Sequence, residues 1–129
     1  MNAPPHPFSV RAKVLAFRYA WQGIDYMLRT QVNAWIQIGI AAIVTVVGLL
    51  FGLSGVEWCV VVLAMAAVWI AEALNTAIEA VVDLASPERH ALAGRAKDVA
   101  AGAVVVAVAA AAICGLVIFG PRFWFLLVR

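Results

Sequence analysis

Three apolar runs, Trp35 to Leu53, Trp58 to about Leu84 and Val99 to Phe119, decide most of what this chain can become. Each is close to or above the roughly 20 helical residues that cross about 30 Å of hydrocarbon. Three transmembrane helices are expected, over about residues 35–53, 58–84 and 98–119. The composition agrees, with 66% hydrophobic and 12% charged residues in a chain of 129, far more apolar than a soluble domain. The expected class is an all-α membrane protein. At this length three short spans have too little internal volume to enclose a substrate, so self-association is expected.

Charge sets the expected orientation. The link Ser54 to Glu57 carries one charge, Glu57, whereas SPERHALAGRAK between the second and third spans carries Arg89, Arg95 and Lys97. Basic residues stay on the cytoplasmic side, which puts the second link and the N terminus, with Arg11, Lys13, Arg18 and Arg29, inside. The C terminus then lies outside, although Arg122 and Arg129 weaken the bias.

Ahead of the first span, Val10, Val14, Phe17, Trp21, Ile24 and Leu28 fall within an arc of about 80° at about 100° per residue. Arg11, Arg18, Gln22, Asp25 and Arg29 gather on another side. This pattern predicts an amphipathic helix over residues 8–29 lying in the membrane surface. Residues 1–7, rich in proline, read as a disordered tail before a membrane-embedded domain of residues 8–129. The first thirty residues lack the pattern of a cleaved secretory signal. Cys59 and Cys114 stand alone in apolar runs and read as small hydrophobes.

The second span carries AEALNTAIEAVVD, with three carboxylates in a lipid-bound segment. At about 100° per residue, Glu72, Asn75, Thr76, Glu79 and Asp83 share an arc of about 100° along about 16 Å of axis. Ionisable groups at that depth are costly and mark functional sites facing a bundle interior or a water cavity. The plainer reading is a packing network among these groups and basic residues of neighbouring helices. Carboxylate oxygens suit Mg²⁺, which is usually held by one or two of them together with substrate phosphates. Glu79 would lie where a nucleotide could reach, and Glu72, partly desolvated, suits a base removing a proton from an alcohol. No GxxxxGK[ST] and no glycine-rich loop after a strand is present, so a kinase here has another architecture. In RAKD, Lys97 could neutralise phosphate charge, and Asp98 could cap the third span or bind metal. A basic residue at a membrane boundary is more often an anchor.

EALNTAIEAVVD followed by SPERHALAGRAKDVAAGAVV, with FRYAWQGI upstream, resembles the small prokaryotic diacylglycerol kinase family, which includes the undecaprenol kinases. The resemblance implies a homotrimer with a surface helix and three spans per protomer. It implies composite sites between protomers, at the cytoplasmic face of the bacterial inner membrane. There the γ-phosphate of ATP would pass to a lipid alcohol, with Mg²⁺ as cofactor and no nucleic acid partner. By the same resemblance Glu72 is the general base and Asn75 its neighbour at the reacting groups. Glu79 binds Mg²⁺ with ATP, Lys97 and Asp98 contact phosphate and nucleotide, and Tyr19 and His90 line the nucleotide pocket.

One departure from the family pattern affects the metal. A glutamate commonly stands eight residues after the surface-helix glycine, where this chain has Gln31; Gln37 replaces a second acidic position and Trp35 an arginine or phenylalanine. Gln31 offers Mg²⁺ a carbonyl oxygen but no charge, and a kinase with weaker Mg²⁺ dependence is the expectation. Restoring glutamate at position 31 is expected to tighten Mg²⁺ affinity.

The third span, rich in alanine and glycine, suits close helix packing. Two other readings stay open: a noncatalytic cation-binding or channel-like module lined by the carboxylates, and a kinase-like scaffold that lost activity through Gln31.

Overall fold

The computed structural model describes residues 9–88 and 90–128; the expected tail, Phe8, Arg89 and Arg129 lie outside them. Four helices make up the described chain: α1 (Val10–Thr30), α2 (Val32–Leu50), α3 (Gly55–Ala85) and α4 (Ala91–Leu127), with no strand among the described residues. Three of them, α2, α3 and α4, are long and apolar enough to cross a membrane.

α1 starts where the Ser9 hydroxyl accepts a hydrogen bond from the Ala12 amide at 3.1 Å. It ends at a corner of one residue: Gln31, extended at φ −111° and ψ 111°, caps both α1 and α2. Met27 and Ala34 are buried at this corner, and the Trp35 indole donates to the Leu28 carbonyl across it at 2.9 Å. Val14, Phe17 and Trp21 of α1 stay exposed in the single chain, an apolar face of the kind that suits lipid.

The turn from α2 to α3 ends the first span earlier than the expected Leu53. Gly52 takes the left-handed conformation at φ 60°, which glycine adopts without steric cost, so Phe51 and Leu53 belong to the turn. Their hydrophobicity serves packing: Leu53, Val61 and Ile118 form a buried cluster joined by Phe51, Trp58 and Phe119. Phe51 also meets Phe123 edge-on, centroids 5.0 Å apart. Gly48 is required here, because a Cβ on it would come within 2.8 Å of the Trp58 ring. Ser54 then caps α3 through a reciprocal pair: its hydroxyl accepts from the Glu57 amide at 3.4 Å, and the Glu57 carboxylate accepts from the Ser54 amide at 2.8 Å.

α3 and α4 pack as an antiparallel hairpin and form the main interface of the chain; α1 and α2 touch it sparingly. The link is shorter than SPERHALAGRAK suggested. His90 caps α4 with its own Nδ1, which accepts from the Leu92 amide at 3.2 Å. The helix therefore starts seven residues before Asp98, which cannot be its cap.

α4 also passes the expected end at Phe119 and runs to Leu127. Pro121 inside it lacks one amide donor, yet the next side chain supplies a donor nearby: Arg122 Nη1 reaches the Ile118 carbonyl at 2.6 Å. With 31 and 37 residues, α3 and α4 are about 46 and 55 Å long, more than the roughly 30 Å of hydrocarbon. Polar chemistry can therefore stand on them beyond the lipid.

Candidate active site

The carboxylate face of α3 forms as the helical period requires, and its burial is graded. Glu72, Asn75 and Thr76 are 1%, 7% and 5% exposed, Glu79 is half-buried and Asp83 exposed. The face thus leads from dry protein to water over three turns.

At the dry end the Thr76 hydroxyl bonds back to the Glu72 carbonyl at 2.9 Å, leaving the carboxylate of Glu72 unengaged. Neither of its oxygens has a hydrogen-bond partner among the described residues, and neither has Asn75 Oδ1. Buried acceptors without partners are expensive. Three on one face point to a site built for a partner that brings donors or positive charge.

Asn75 turns toward the next acid: its amide donates to Glu79 Oε1 at 3.1 Å. The other oxygen of Glu79 accepts from Gln31 Nε2 at 3.3 Å. An ionised carboxylate only accepts, so both amides present nitrogen to it. The wet end carries a further pair, Lys97 Nζ on Asp83 Oδ1 at 2.5 Å. Around this pair an open cleft of about 460 Å³ includes Ser86, Glu88 and His90 in its walls.

The structure therefore gathers Glu72, Asn75, Glu79 and Gln31 in one place and His90 with Lys97 in a cleft above it. It does not gather Tyr19, 63% exposed on α1, or Asp98; neither lines that cleft. Asp83, on the predicted face but given no task of its own, emerges as the partner of Lys97. Pairing with a residue of another helix leaves no mark in the spacing.

Metal ligation can be judged from the donor set. No group of three or more His, Cys, Asp or Glu side chains able to hold an ion exists among the described residues, so an all-protein cage is not formed. Glu79, held by the Gln31 and Asn75 amides, is a single carboxylate of the kind that receives Mg²⁺ together with nucleotide phosphates.

A second cavity, about 300 Å³ and almost wholly apolar, opens between α2, α3 and α4. Val68 lines it, one helical turn from Glu72 on the same face. Gln37, also in its wall, holds a buried carbonyl oxygen without a partner among the described residues. Sequence reasoning had noted Gln37 only as a lost acidic position.

Residues 18–119 match the model of the family described as prokaryotic diacylglycerol kinase. The chain is 38% identical over 122 residues to an undecaprenol kinase of Bacillus subtilis, covering 95% of this chain and 99% of that one. A diacylglycerol kinase of Synechocystis is 43% identical over 103 residues, which is 79% of this chain and 59% of that longer protein. A diacylglycerol kinase of Escherichia coli is 32% identical over 117 residues, 85% of this chain and 90% of that one. The match spans the corner, the carboxylate face and the hairpin alike, and the chain belongs to the prokaryotic diacylglycerol kinase family of lipid kinases.

Proposed function

We propose that this chain transfers the γ-phosphate of ATP to the hydroxyl of a membrane lipid alcohol, undecaprenol or diacylglycerol, at the cytoplasmic face. The observation that carries this reading is Glu72, a fully buried carboxylate with two unengaged oxygens, one turn from an apolar cavity and two turns from Glu79. A lipid alcohol fits both surroundings at once, with its hydrocarbon in the cavity and its hydroxyl at the carboxylate.

Glu72 accepts the hydroxyl proton as the alcohol oxygen bonds to the γ-phosphorus, and ADP leaves with the electrons of the broken phosphoanhydride bond. Lys97 offsets phosphate charge at the mouth, and His90 borders the same cleft. Glu79 would hold Mg²⁺, which would supply positive charge against the nucleotide phosphates. Tyr19 and Asp98 lie outside that cleft in one protomer, and in the proposed homotrimer they would reach the nucleotide across a protomer boundary. Against a conducting pore, the polar face of α3 stops at Glu72, and Val68 and Val61 continue the buried positions beyond it.

Phosphate transfer from labelled ATP, with undecaprenol and diacylglycerol offered in parallel mixed micelles and Glu72→Gln as the blank, tests the reading. Labelled lipid that is absent from the blank supports it and selects the substrate. Equal labelling by the wild type and Glu72→Gln removes Glu72 from the reaction.

A further inference from the structure

Gln31 has an unusual place in this chain. Among the described residues its bond to Glu79 is the one side-chain hydrogen bond that joins the α1–α2 segment to the α3–α4 hairpin; the other cross-helix bonds stay within one segment or the other. The apolar packing of Gly48 and Phe51 against Trp58 and Phe119 lies at the far end of α2, while the α1–α2 corner itself touches the hairpin sparingly, so this bond registers the corner against the site. It forms without a cation, the Gln31 amide donating directly to a Glu79 oxygen. A glutamate at position 31 would instead set two acidic side chains about 3 Å apart, an arrangement that needs a shared proton or a bridging cation.

We infer that Gln31 is a positioning residue: its amide holds the Glu79 carboxylate and fastens the α1–α2 corner to the site before any metal arrives. The inference rests on the reading of Glu79 as the carboxylate that receives the metal. With Asn75 on one oxygen and Gln31 on the other, Glu79 is fixed in a single orientation, and each oxygen keeps further acceptor capacity for an incoming ion. The Gln31 carbonyl is not needed as a ligand while its amide is engaged.

The test compares the full chain with Gln31→Leu and Gln31→Glu in detergent micelles. It uses two readouts: thermal unfolding with Mg²⁺ or chelator and no nucleotide, and phosphate transfer across Mg·ATP concentrations. The wild type is expected to unfold at the same temperature in both conditions. Gln31→Leu is expected to unfold earlier in both, with KM for Mg·ATP raised roughly tenfold and kcat within about twofold, because Glu72 is untouched. Gln31→Glu is expected to unfold early in chelator and to recover with Mg²⁺. Unchanged unfolding and KM in Gln31→Leu would overturn the inference, as would a wild type that gains as much from Mg²⁺ as Gln31→Glu does. If Gln31→Leu does not fold, the Mg²⁺ response of Gln31→Glu against the wild type still decides. A wild type that labels no lipid defeats the kinase reading, while the unfolding data judge the latch separately.

Discussion

Two glutamates on α3, Glu57 and Glu72, stand in opposite conditions. Glu57 is engaged from several sides: it accepts from the Ser54 amide and hydroxyl at 2.8 Å each, and Arg122 pairs with it at 2.8 Å. Glu72 is more deeply buried, and its carboxylate has no partner among the described residues. Around Glu57 the aromatic rings, the required Gly48 and a helix cap close the end of the bundle. Around Glu72 the neighbours leave acceptors free. A chain that can satisfy one carboxylate so fully leaves a more costly one unsatisfied, and in the function proposed above that second carboxylate is reserved for substrate. In that proposal the first end serves stability and the second chemistry.

Substitutions at the two ends should separate these properties. The largest effect is expected from Glu72→Gln, with transfer reduced by about 10²- to 10⁴-fold and unfolding temperature not lowered, since no bond is lost. Glu79→Gln should come next, weakening Mg·ATP binding roughly tenfold, consistent with one lost charged interaction; titration calorimetry with Mg·ATP would measure it. At the other end, Gly48→Ala forces Trp58 to move. It should cost about 1–3 kcal/mol of stability while leaving KM unchanged, as read by thermal unfolding beside kinetics. Glu57→Gln should lower the unfolding temperature by less and again spare turnover. The smallest change in stability belongs to Asp83→Asn, because exposed ion pairs contribute about 0–1 kcal/mol; its mark would be altered nucleotide affinity through a freed Lys97.

The apolar runs made the three spans legible, and the helical period made the carboxylate face legible, because both are properties of one helix at a time. Boundaries shifted where side chains serve something other than helix position. Phe51 and Leu53 are apolar yet lie in a turn, packing the closed end, while Arg95 and Lys97 are polar yet helical, because α4 starts from the His90 cap. Cross-helix pairs were out of reach: Gln31 with Glu79 lies 48 residues apart and Glu57 with Arg122 lies 65 apart. No spacing rule connects such positions. Asn75, expected beside the reacting groups, gives its amide to Glu79, a choice of rotamer that sequence does not record. The nucleotide roles of Tyr19 and Asp98 rested on family likeness, and neither residue lines the cleft.

The most direct measurement is single-turnover transfer of labelled phosphate to lipid by Glu72→Gln and Glu57→Gln, side by side at a temperature where both remain folded. The account predicts transfer near wild type for Glu57→Gln and almost none for Glu72→Gln. Comparable transfer by the two variants would contradict it.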